Sequence, residues 1–141
     1  MAEQSLITPE LRALMEREYG PVTYHIESWW LRKFAEAIDD PNPKWKDEAP
    51  PTFVTALILE DLDEAFKTAK TPATRGLNGG NIIEYFQPMR LGDTITVTGR
   101  VTDMLEREGK MGRMVILSSE LTYTNQRGEV AAKGYNTRLR Y

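Results

Sequence analysis

Cysteine is absent from the 141 residues, and histidine occurs once, at His25. The first absence removes disulfide frameworks, thiolate nucleophiles and cysteine-based metal sites. The second leaves a zinc ion to carboxylates alone and makes any serine or cysteine triad depend on His25 itself. No apolar run approaches the ~18 residues of a membrane-spanning helix, and the opening MAEQSLITPEL lacks the basic-then-apolar layout of a secretory signal. Blocks of like charge are missing too. With 18 basic and 21 acidic residues, the net charge is −3, without the basic footprint of a nucleic-acid binder. These absences predict a cytoplasmic protein with no metal, no membrane and no nucleic acid as partner. His25 stands in a strand-like stretch and reads as a packed or surface residue, so an enzyme built on this chain would take its general base from the carboxylates.

Hydrophobic residues make up 40% and charged residues 28%, the balance of a folded globular chain. The length suits one domain, 1–141, with an N-terminal helical extension over 1–20. Thr8 caps a helix with Pro9 in its first turn and an apolar stripe at Leu11, Leu14 and Met15, and Gly20-Pro21 ends it. VTYHIES alternates as a short strand. Ser28 is the expected cap of a second helix, 29–38, with Trp30, Phe34, Ala37 and Ile38 on one face. After APPTF, with Thr52 as the cap, Val54, Leu57, Ile58, Leu62, Ala65 and Phe66 mark a helix of about four turns. KTPATRGLNGGN reads as a loop. The rest is strand after strand: IIEYFQP, TITVTGRVTDMLE, RMVILSSELTYTN and EVAAKGYNTRLRY, with REGKMG as a hairpin loop. One well-formed helix followed by long antiparallel strands predicts an α+β layout, helix packed on sheet.

Between the helices lies AIDDPNPKWKDEA, where two prolines clamp Asn42 and an acidic pair stands just before them. Asp40 is open to two readings: a turn initiator before Pro41, or a carboxylate held for chemistry. Asn42 orients the loop through side-chain-to-backbone bonds. Trp45 packs over a tunnel or at a subunit interface. Gly79-Gly80 marks a bulge at a strand start, or a place where backbone approaches a ligand closely. Arg75, Arg90 and Arg113 are arginines of the kind that recognise phosphate.

FAEAIDDPNPKW, APPTF, GGNIIEYFQPMRLGDTITVTGRV and ELTYTNQRGEVAAKG together resemble the MaoC-like dehydratase family, in the form of its N-terminal-half module. The resemblance runs from about residue 20 to the end. It implies a single hot-dog domain, a long central helix wrapped by a curved antiparallel sheet. It also implies reversible hydration of 2-enoyl thioesters of coenzyme A or acyl-carrier protein, with no other cofactor. Catalytic members carry Gly-Asp-x-Asn-Pro-apolar-His. On this chain the Asp falls on Asp40, the Asn on Asn42 and the Pro on Pro43. The Gly falls on Asp39, the apolar position on Lys44 and the His on Trp45. Indole nitrogen only donates a hydrogen bond and relays no proton, so half of the acid–base pair is lost.

The resemblance implies a thioester cradle from Asn42, Trp45, the amides of Thr52 and Phe53, and Gly79 and Gly80. The reading this favours is a subunit that shapes the acyl channel while a second hot-dog partner supplies the Asp–His pair. Two alternatives stand beside it. One is a homodimeric hydratase or thioesterase using Asp40 or a helix carboxylate such as Glu60 or Asp61; the other is a protein that binds acyl-CoA without turnover.

Overall fold

Threonine and arginine alternating with Ile95, Val97, Gly99 and Val101 build the longest strand, and the other strands are laid against it. The computed structural model describes residues 4–141. In chain order the strands are β1 (Glu18–His25), β2 (Gly76–Tyr85), β3 (Thr94–Gly109), β4 (Gly112–Thr124) and β5 (Val130–Arg140). They form one antiparallel sheet ordered β1-β3-β4-β5-β2. Ile95, Val97, Val101, Val115, Leu117 and Leu121 are buried beneath the helical layer. This is the α+β layout that the sequence pattern predicts, in the hot-dog form that the family resemblance implies.

Several boundaries differ from the sequence reading. Most of REGKMG is not loop: Arg107, Glu108 and Gly109 pair with Met114, Arg113 and Gly112, leaving a tight turn at Lys110-Met111. GLNGGN is strand as well, since β2 starts at Gly76 along the open edge of β5. At the N-terminus, Thr8 does cap α1 (Pro9–Arg12), its Oγ1 accepting from the Leu11 amide at 3.1 Å. A 3₁₀ turn, Ala13–Glu16, follows, and β1 is under way by Glu18. Gly20-Pro21 therefore lies inside β1, at a register break between Tyr19 and Val22, instead of ending a helix. Tyr19 explains the early start: it is fully buried and its hydroxyl donates to the Leu14 carbonyl at 3.1 Å. Gly20 is required there, with φ at +84° and a would-be Cβ only 2.6 Å from the Val97 carbonyl. Met1, Ala2 and Glu3 of the expected extension lie outside the described residues.

The second helix, α2, runs Ser28–Ala37. Ser28 is its first residue and not its cap; Glu27 holds the cap position without a side-chain bond. Its inward face is Leu31 with Trp30 and Phe34, whereas Ala37 and Ile38 are exposed. The central helix departs most from expectation. Instead of four continuous turns there is a 3₁₀ segment, Pro51–Ala56, an extended break at 57–59, and α3 (Glu60–Thr68). Side-chain alternation explains the break: Leu57 and Leu59 are buried while Ile58, between them, is 49% exposed. A helix cannot bury residues two apart and expose the one between; extended backbone can. The Ile58 carbonyl freed by the break accepts from the Tyr24 hydroxyl at 2.6 Å. Thr52 is accordingly no helix cap but an exposed residue within the 3₁₀ segment, its carbonyl accepting from Thr55 Oγ1 at 2.7 Å.

Arg140 ties the end of α3 to β5. It is buried, donates from Nη1 to the Phe66 carbonyl and from Nε to that of Ala73 at 3.1 Å, and lies over the Phe66 ring. Burial lowers its pKa, yet a guanidinium stays charged, a favourable sign at a helix C-terminus. Arg140→Ala strips the donors from two carbonyls, and we expect a loss of about 1–3 kcal/mol. Arg140→Lys should recover little, because an ammonium does not present the two-pronged fork. Chemical denaturation of the three proteins checks both statements.

Candidate functional site

The loop after α2 is held by its own side chains. Asp39 turns it with φ at +53°, and the Asp40 amide donates back to the Ala35 carbonyl at 3.0 Å. Asp40 Oδ1 accepts from the Asn42 amide at 3.1 Å, and Asn42 Oδ1 accepts from the Lys44 amide at 3.0 Å. Pro43 then opens a 3₁₀ turn, Pro43–Lys46, which brings the half-buried Trp45 back over Asp40. There its indole Nε1 donates to Asp40 Oδ2 at 2.8 Å. Each carboxylate oxygen of Asp40 thus already accepts a hydrogen bond. The loop keeps its shape, and the indole holds the carboxylate as an acceptor with no second nitrogen to pass a proton on.

Trp45 separates two cavities. On one side is a cleft of about 510 Å³ with Arg32, Glu36, Asp40, Asn42 and Lys46 in its walls. On the other is a mainly apolar chamber of about 370 Å³ among Ala49, Pro50, Val54, Tyr85, Phe86 and Met89, with Lys44, Glu48 and Gln87 also in its walls. Tyr85 closes one side of the chamber through a hydrogen bond from its hydroxyl to the Pro51 carbonyl. A third depression, about 780 Å³, opens where the central helix breaks, between Leu59, Leu62 and Phe66 and the sheet residues Asn81, Tyr123 and Asn136. Burial pushes the Tyr123 phenol up to about 12, so it is neutral there and serves only as donor or acceptor.

Other sequence candidates are spent on structure. Phe53 is fully buried, and its amide donates to the Pro50 carbonyl at 2.9 Å, so the expected cradle lacks that donor. Gly79 is the unpaired residue of the β2 bulge, between Asn78 and Gly80, and neither glycine lines a cavity beside Trp45. A Cβ on Gly79 would lie 3.1 Å from the Thr137 side chain and carbonyl. His25 is exposed, its Nδ1 3.0 Å from Thr94 Oγ1. Asp61 binds the Gly20 amide at 2.8 Å, Arg17 at 3.2 Å and the Leu62 amide at 2.9 Å. Arg113 is engaged by Glu106 and the Gln4 carbonyl. Among the described residues no group of three or more His, Cys, Asp or Glu is placed to hold a metal ion, and no helix is long and apolar enough to cross a membrane. Sequence reasoning missed Tyr85 and the Asp40–Trp45 bond; the five-residue spacing across a double-proline turn was the available signal for the latter.

Asp63, facing the third depression, is also committed. It meets Lys67 and Arg138, each at 2.8 Å, and the hydrogen bond from Lys67, chiefly, holds its carboxyl below the usual range. A depressed pKa means the unfolded chain binds the proton more readily, so this contribution is complete above about pH 4 and is lost as pH falls through the folded value. Asp63→Asn should therefore flatten the acid limb of the stability–pH curve while leaving its slope above neutrality unchanged, which denaturant titrations at stepped pH will show.

The family described as "FAS1-like, dehydratase domain region" matches residues 13–133. A UPF0336 protein from Thermobifida fusca is 30% identical over 118 residues, covering 74% of this chain and 76% of its own length. Its counterpart from Streptomyces avermitilis is 28% identical, covering 70% and 75%. Among solved structures, the ChsH1-ChsH2 complex from Mycobacterium tuberculosis superposes with a TM-score of 0.80 at 12% identity, over 94% of this chain and 93% of that one. The HadBC (3R-hydroxyacyl-ACP dehydratase) complex from the same organism gives 0.72 at 20%, over 87% and 94%.

Proposed function

We propose that this chain, which belongs to the family of the FAS1-like dehydratase domain region, is the channel-forming, non-catalytic subunit of a heteromeric hydratase. The reaction of the complex is reversible addition of water to a 2-enoyl thioester, giving the 3-hydroxyacyl thioester, on coenzyme A or acyl-carrier protein in the cytoplasm. The 2.8 Å bond from Trp45 to Asp40 carries the reading. Water addition needs a base to take a proton and an acid to return one; here each carboxylate oxygen already accepts one hydrogen bond from its own loop and the neighbouring ring has nothing to relay. A second hot-dog chain with a complete Asp–His pair supplies that chemistry.

Two observations support a partner of that kind. Strand β2 is an open sheet edge with Leu77, Ile82 and Tyr85 exposed, the kind of edge a folded protein covers. Both of the solved complexes named above are two-protein assemblies by their own descriptions. The use of Asp61 in holding Gly20 and Arg17 weighs against a thioesterase built on the central helix.

Loss of enoyl-thioester absorbance tests the reading, with the chain alone and with its co-purifying partner. The chain alone should show no turnover and the complex should turn over. Asp40→Asn in this subunit should change that rate by less than about two-fold, against the ~10²–10⁴-fold loss when an acid–base group is removed. Turnover by the isolated chain, abolished in Asp40→Asn, would replace the subunit with a carboxylate-only hydratase. Binding of acyl-CoA without turnover in any assembly would make it a carrier or sensor.

A further inference from the structure

Among the described residues, Trp45 is the one that lines both the Asp40 cleft and the apolar chamber. Its ring is not free to swing. Asp40 fixes the indole nitrogen, the Trp45 amide donates to the Asn42 carbonyl at 3.1 Å, and Pro41 and Pro43 stiffen the chain on either side of Asn42. The wall between the two spaces is therefore a side chain locked in one orientation by the loop that carried the hydratase motif.

Resting on the acyl-thioester reading above, we propose that the chamber among Ala49, Pro50, Val54, Phe86 and Met89 takes the aliphatic tail of the acyl group, and that the Trp45 indole is its end wall and sets the tail length accepted. The chamber's walls are mainly apolar, with Lys44, Glu48 and Gln87 as its charged and polar members, which suits a hydrocarbon tail, and about 370 Å³ falls within the ~300–1,000 Å³ of small-ligand pockets. Removing the indole joins the chamber to the 510 Å³ cleft and gives the tail somewhere to continue. Trp45 is in this sense a specificity-determining residue: having lost proton relay, the motif position is used to measure the substrate.

The test is calorimetric binding of straight-chain saturated acyl-CoAs, lengthened two carbons at a time from butyryl to palmitoyl, to the native chain and three variants. Each methylene buried should tighten binding roughly four-fold until the wall is met, after which the gain stops. Trp45→Ala should move that stopping point to longer chains by at least one two-carbon step. Trp45→Phe, which keeps a ring but loses the N–H, should leave it near the native position. Ala49→Leu, filling the chamber from the side, should move it to shorter chains and serves on its own if Trp45→Ala fails to fold. An unchanged length profile in Trp45→Ala or Ala49→Leu overturns the end-wall assignment while acyl binding itself stands. Absence of binding at every length, in native chain and variants alike, overturns the assignment together with the acyl-thioester reading beneath it.

Discussion

Phe53→Ala is expected to cost about 3–5 kcal/mol in denaturant unfolding, the range for truncating a fully buried aromatic side chain. The ring has no exposure and sits edge-on to Trp30 at 4.8 Å and to Phe34 at 5.3 Å between centroids. Each such pair adds to simple area burial by ~0.5–1.5 kcal/mol. Little can move into the space: the backbone at 53 is held by the hydrogen bond from its amide to the Pro50 carbonyl, and both ring partners are fixed on α2. Because the Ala35 carbonyl of α2 also receives the Asp40 amide, loosening this aromatic cluster should loosen the motif loop with it. Thr52→Ala is the matched control. A helix cap would be worth about 1 kcal/mol, whereas an exposed 3₁₀ residue without a capping bond should change stability by less than ~0.5 kcal/mol. A cost below about 1.5 kcal/mol for Phe53→Ala, less than an ordinary buried aromatic, would mean the cluster is not part of the core.

The strands were legible because period two is a strong signal wherever one face is buried: Ile95, Val97 and Val101 against Thr94, Thr96 and Thr98 could hardly be read otherwise. β2 was read short because its first half, GLNGGN, has almost no apolar residue to alternate and pairs only on the β5 side. The central helix was overread for the opposite reason. Leu57 and Leu59 satisfy the core equally well from an extended break, and composition alone does not choose between that and a continuous helix. At the site, the motif alignment placed Asp40, Asn42 and Trp45 in one loop, where the structure also has them. What the alignment left out was direction: the indole's N–H turns inward onto the carboxylate, converting a missing histidine from an absence into a lock. The Phe53 amide failed as a cradle donor because the segment begins as 3₁₀, whose tighter turn returns that N–H to the Pro50 carbonyl.

If the loss of imidazole is what silences the loop, Trp45→His should restore part of the chemistry. The Nε2 of histidine lies the same number of bonds from Cβ as the Nε1 of tryptophan, so it meets Asp40 from a similar position. Donation to the carboxylate would then leave Nδ1 as the second nitrogen the indole never had. A carboxylate neighbour raises an imidazole pKa above its ordinary ~6.5. Turnover of a short 2-enoyl-CoA, which the native chain alone should lack, should become measurable, about 10²-fold above the uncatalysed rate and at the low end of what one acid–base group supplies. The gain should depend on pH through that imidazole and vanish in the double substitution Asp40→Asn/Trp45→His, which keeps the ring and removes the carboxylate. The low end is expected because Phe53 offers no amide to the thioester oxygen. A folded Trp45→His chain with no turnover at any pH would show that the oxyanion side was surrendered along with the base, and that the loop now serves only to hold the tryptophan in place.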